Sequence, residues 1–130
     1  MQNANAYQET KRLALESLSK GDVVVKLYEE ASKQLKMAII LNDRKEYVKA
    51  FNCVAKCQKI VSSLNSSLDM QYPISIELDQ LYGFMYEKLG EANARRDVKL
   101  MEDILSLINE LKNSFKEANK INNSQNLRGR

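Results

Sequence analysis

Cys53 and Cys57 are the only thiols in a chain of 130 residues that contains no histidine. They stand four apart in a segment of helical periodicity, so they share one face about one turn from each other. A structural zinc site is built from four Cys or His ligands, and without His or further Cys one subunit cannot supply them. In a reducing compartment the pair reads as two small buried hydrophobes. The lack of imidazole also excludes His-based triads, His-ligated di-iron bundles and histidine phosphorelays. Gly21, Gly83, Gly90 and Gly129 are isolated from one another, so no loop of the phosphate-cradling type is present. Glu29/Glu30 and Glu102/Asp103 are sequence neighbours that diverge on a helix, which makes them solvated faces rather than acid/base pairs. The expectation is a protein that is not an enzyme, with no catalytic residue, no metal and no cofactor.

Charge narrows the partners. The net charge is +3, an excess that Lys120, Arg128 and Arg130 account for, so residues 1–119 are neutral. The signs are interspersed rather than gathered into a basic stripe, and nucleic-acid binding is not expected. No stretch approaches the roughly 20 apolar residues that span a bilayer. Met1 to Tyr7 lack the basic and apolar regions of a secretory leader. The expectation is a cytoplasmic protein without membrane insertion.

Helical periodicity runs through four segments. From Ser19 to Asn42 the positions Val24, Leu27, Tyr28, Ala31, Leu35, Ala38 and Ile39 recur at three- and four-residue steps. Ser19 with Asp22 predicts a capped start. Asp43 to Glu46 predicts a second cap, followed by the stripe Tyr47, Phe51, Val54, Cys57, Val61, Leu64 and Leu68. Pro73 disfavours helix at the residue before it and suits the first turn of the next. Ile74, Leu78, Leu81, Met85, Leu89 and Ala92 then form one face, with Tyr82 and Tyr86 beside it. Asp97 predicts the cap of a last helix with Met101, Ile104, Leu105, Ile108, Leu111 and Phe115 inward.

Connections of a few residues force neighbouring helices to run antiparallel. The fold class expected is all-α, an antiparallel up-down-up-down four-helix bundle with a short extra N-terminal helix or docked segment. Its parts are residues 1–18 as an N-terminal docking segment, 19–120 as the bundle, and 121–130 as a mobile polar tail. Residues 43–69 hold five basic and three acidic side chains, and residues 74–93 hold four acidic and one basic, so these neighbours attract weakly. The apolar stripes are wide, because Cys53 and Ile60 stand off the second seam and Leu100 and Leu107 off the last. That excess predicts a core covered by a fifth element, a groove for a partner's amphipathic segment, or burial against a second copy in a homodimer.

Short motifs then carry a resemblance. Tyr7-Gln8, Leu27-Tyr28-Glu29, Lys56-x-Gln58-x-Ile60, Ser67-Leu68-Asp69, Leu81-Tyr82 followed by Tyr86, and Leu89-x-x-Ala92-Asn93 occur in order between residues 7 and 119. In that order and spacing the chain resembles the flagellar secretion chaperone FliS family. The resemblance implies a cytosolic helical bundle that binds the disordered C-terminal segment of flagellin. It implies that polymerisation is prevented before export and that the client is presented to the export gate protein FlhA. The partner-binding residues it implies are Tyr7, Gln8, Leu27, Tyr28, Ile60, Tyr82 and Tyr86. Glu30 departs from the family's Leu-Tyr-Glu-Gly, since it stands where that pattern has glycine. The alternative is a helical oligomerisation or interaction module with no flagellin client.

Overall fold

The structure, a computed structural model, describes the backbone of residues 2–128 and the side chains of residues 21–121. It consists of α1 (Gln2–Asp43), α2 (Tyr47–Ser66), α3 (Pro73–Arg95) and α4 (Val98–Arg128), and no strand occurs among the described residues. Helix α1 packs on α2 and α4, and α3 packs on the same two, so the four close a ring with α1 and α3 on one diagonal. Cross-helix contacts fix the directions. Between α1 and α4, Lys116 meets Glu29 at 3.3 Å, Ser32 donates to Asn109 at 2.9 Å and Asn42 reaches the Met101 sulfur at 3.6 Å. Residue numbers rise on one helix as they fall on the other, which makes the pair antiparallel. Asn65 to Asp79, Gln58 to the Tyr86 carbonyl and Asn93 to the Phe51 carbonyl set the same relation between α2 and α3. The expected up-down-up-down bundle is the fold observed.

One buried cluster joins all four helices: Tyr28, Ala31, Leu35 and Ala38 meet Val54, Cys57, Val61 and Leu64, with Tyr82, Met85 and Leu89 and then Met101, Ile104 and Ile108. Cys53, Ile60, Leu100 and Leu107 pack against it partly buried, so this part of the apolar excess thickens the core rather than forming a groove.

Two stripe assignments are corrected. Phe51 is 53% exposed while Ala50 is buried, and Ile74 is 57% exposed while Ser75 is buried. A seam extended backwards from Val54 or Leu78 can step by three or by four, and periodicity alone does not choose. Tertiary detail does. Asn93 crosses to the Phe51 carbonyl beside the small Ala50 side chain, and the Ser75 hydroxyl donates 2.6 Å to the Asp69 carbonyl in the turn below α3.

The helix ends also differ from expectation. Helix α1 passes through Ser19 without a break, so Asp22 caps nothing and instead accepts from Asn119 at 2.9 Å. The helical backbone of α4 continues past Lys120 to Arg128, as propagation of an established helix adds a hydrogen bond for each residue fixed. Asp43 belongs to α1, and Lys45 turns the chain at φ 61° with the Glu46 N–H bonded to the Leu41 carbonyl at 2.9 Å. Arg96 ends α3 in the same left-handed region at φ 54°. Pro73 opens α3 as expected.

The two N-caps make a prediction. Asp97 accepts from the Leu100 N–H at 3.1 Å, whereas the Glu46 side chain caps no backbone group of α2. Asp97→Ala should cost about 1 kcal/mol and Glu46→Ala less than about 0.5 kcal/mol in urea unfolding. Equal losses would contradict the assignment of the cap.

Candidate functional site

Tyr28 and Tyr82 face each other across the bundle diagonal, both almost fully buried, with their hydroxyls hydrogen-bonded to one another. The Tyr28 ring also lies 5.3 Å from the Phe115 ring, centroid to centroid. Burial pushes both phenols above the ordinary tyrosine range, and for Tyr28 the bond to Tyr82 adds to that effect. These rings are core first. Yet Tyr82 has a second face, because its helix is notched immediately beside it.

Between α2 and α3 lies a cavity of about 310 Å³ lined by Val61, Asn65, Tyr82, Gly83, Tyr86 and Glu87, among others. A Cβ placed on Gly83 would meet no heavy atom within 4 Å. By contrast, a Cβ on Gly90 would approach the Gln58 amide nitrogen to 3.1 Å, so that glycine serves packing between α2 and α3. Glycine in a helix interior is destabilising by roughly 0.5–1 kcal/mol relative to alanine. The fold gains no contact from Gly83 in return, and the notch faces open space.

Exposed apolar side chains concentrate on the two helices that form this cavity. Of the twelve large apolar side chains exposed among the described residues, eight lie on α2, α3 or the turn between them: Val48, Phe51, Met70, Tyr72, Ile74, Ile76, Phe84 and Tyr86. The distribution is lopsided. A second concavity of about 290 Å³ extends the face to the end of the bundle, between Val48, Phe51 and Asn93. There the Arg96 guanidinium stacks 3.8 Å from the centre of the Tyr47 ring. Exposed apolar side chains concentrated on two adjacent helices point to an interaction surface.

The cysteines stand apart from it. Cys57 is buried and its thiol is pushed up to about 12 by burial, while Cys53 is partly exposed. Iodoacetamide should therefore modify Cys53 and spare Cys57 in the folded protein, with both modified after unfolding, as read by mass spectrometry. Modification of Cys57 in the folded state would contradict its burial. Among the described residues no three His, Cys, Asp or Glu side chains come together where they could hold a metal ion, and no helix is long and apolar enough to cross a membrane.

Comparison with known proteins agrees with the ordered motifs and the bundle. The sequence model of the family described as flagellar protein FliS matches residues 3–122. The chain belongs to the FliS family. It is 20% identical over 114 residues to the flagellar secretion chaperone FliS of Bacillus subtilis (strain 168), covering 88% of this chain and 86% of that protein. It is 34% identical over 64 residues to the flagellar secretion chaperone FliS of Vibrio cholerae serotype O1 (strain ATCC 39315 / El Tor Inaba N16961), covering 48% of this chain and 47% of that protein.

The FliS-like positions fall into three places. Tyr82 and Tyr86 both line the α2/α3 cavity, Tyr82 as buried floor and Tyr86 as exposed rim. Tyr28 joins Tyr82 in the core, and Leu27 and Ile60 pack partly buried against that core without lining the cavity. The side chains of Tyr7 and Gln8 lie outside the described residues. Glu30, at the FliS glycine position, is exposed on α1, where it accepts from Gln34 at 2.9 Å and does not border the α2/α3 cavity. Sequence reasoning missed Gly83, Val48, Ile76 and Phe84. The signal was available for three of them, since Val48, Ile76 and Phe84 are large apolar residues that fall outside the inward stripes.

Proposed function

We propose that this protein is a flagellar secretion chaperone that holds the disordered C-terminal segment of flagellin on its α2/α3 face, prevents its polymerisation before export and presents it to the export gate protein FlhA. The observation that carries this reading is the concentration of exposed apolar side chains on α2, α3 and their turn, together with a cavity between those helices floored by Tyr82 and rimmed by Tyr86. A chain segment destined for the interior of a polymer is apolar, and in isolation it lacks a core of its own. It gains by covering such a face and orders as it does so. The cost of ordering offsets part of the contact energy, so the complex stays dissociable without nucleotide. Tyr28 steadies the Tyr82 floor through their paired hydroxyls, whereas Leu27, Ile60, Tyr7 and Gln8 join the partner surface through the family pattern alone.

Calorimetric titration of the protein with a peptide of the flagellin C-terminal region, followed by circular dichroism of the mixture, tests the proposal. A one-to-one complex with more helical signal than the sum of its parts is expected. Absence of both heat and helix gain at micromolar concentrations would reject it.

A further inference from the structure

We infer that the α1/α4 groove, on the flank opposite the α2/α3 face, is a docking site for an acidic amphipathic segment of a second protein. The closed ring of helices places these two seams on opposite sides of the bundle. Lys33 and Lys36 from α1 and Lys112 from α4 line a concavity of about 330 Å³, and Met37 and Ile40 stand exposed on its rim. Lys33, Lys36, Met37 and Ile40 follow three- and four-residue steps, so they form one stripe along α1. Glu29 is the one carboxylate in the lining, and Lys116 engages it at 3.3 Å. Among the described residues no carboxylate pairs with Lys33, Lys36 or Lys112. The Ser32 hydroxyl is committed to Asn109.

Three like charges line a groove in which no carboxylate pairs with them, beside apolar side chains that stand half exposed. The complement is a helix or extended segment with carboxylates at three- or four-residue spacing and apolar residues between them. Protein is favoured over phosphate-bearing partners, because the lining has no Arg to grip phosphate bidentately. A groove recessed between two helices also fits a single segment better than a flat bilayer. This site does not depend on what the α2/α3 face holds.

The test uses the full chain with labelled methyl groups, titrated with a synthetic peptide that repeats Leu and Glu at amphipathic helical spacing. Shifts at Met37 and Ile40 with none at Val61 are expected, with affinity falling as salt rises. The triple variant K33E/K36E/K112E should bind this peptide at least about tenfold more weakly. It should keep its helical signal and its affinity for the flagellin peptide, which separates failure here from failure of the proposed function. Peptide binding that is equal in the triple variant, shifts confined to α2 and α3, or binding to phosphatidylserine vesicles without binding to the peptide would each overturn the inference.

Discussion

Gly83→Leu should make the protein more stable and a worse binder. Leucine is favoured over glycine in a helix interior by up to about 1 kcal/mol, and nothing lies within 4 Å of the new Cβ to oppose it. For a domain of this size the gain corresponds to a rise in Tm of about 4 °C. The same side chain would fill the notch between Tyr82 and Tyr86 on the α2/α3 face. Affinity for the flagellin C-terminal peptide should fall at least about tenfold, or about 1.4 kcal/mol. Most substitutions that weaken binding also weaken the fold, so opposite signs in calorimetric unfolding and titration isolate the groove from the bundle. A stabilised variant with unchanged affinity would show that no client packs over Gly83.

The buried hydroxyl pair gives the second large effect. Tyr28→Phe leaves the Tyr82 hydroxyl without its partner in the core, and Tyr82→Phe does the same to Tyr28. Each single change should cost about 1–3 kcal/mol, whereas the double variant should recover much of that loss because neither hydroxyl is then stranded. A double-mutant cycle in urea reads the coupling directly. Additive single losses would mean that the hydroxyls do not depend on each other.

The same burial sets an alkaline limit. Unfolded, the Cys57 thiol titrates near 9.0 and the phenols near 10.0, while folding pushes the thiol up to about 12 and raises both phenols. As pH rises the unfolded chain releases protons that the folded chain retains, so the unfolded state becomes favoured. This contribution is intact below about pH 9 and declines above it. Removing both hydroxyls should make the decline between about pH 9 and about pH 11 shallower in urea titrations. An identical decline would assign the alkaline loss to other groups.

Much of this architecture is legible in the sequence, because a bundle writes its core as periodicity. Leu35, Val54, Val61, Met85, Leu89, Met101 and Ile108 all fall on the expected seams and are buried. The capping role of Asp97 and the position of Pro73 follow from local chemistry in the same way. What periodicity leaves open is which of two candidates begins a seam. Phe51 and Ile74 sit at helix ends, where three- and four-residue steps are equally good, and a side-chain crossing or a turn hydroxyl settles the choice.

The face on α2 and α3 is harder to read for a different reason. Its cavity depends on an absent side chain at Gly83, and an isolated glycine carries no periodic signal. Tyr82 illustrates the overlap between fold and site: one ring is both part of the core cluster and part of the cavity lining. No reading of spacing can divide those roles. Conversely, Cys53, Ile60, Leu100 and Leu107 look like excess on a helical projection and prove to be packing.

Where the flagellin C-terminal peptide touches the labelled full chain can be mapped by nuclear magnetic resonance titration, and the map decides whether the α2/α3 face holds the client. The largest shifts should fall on Ile76, Phe84, Tyr86 and Val61, with Met37 and Ile40 unmoved. A complex whose shifts cluster on α1 and α4, leaving those four residues unchanged, would contradict it.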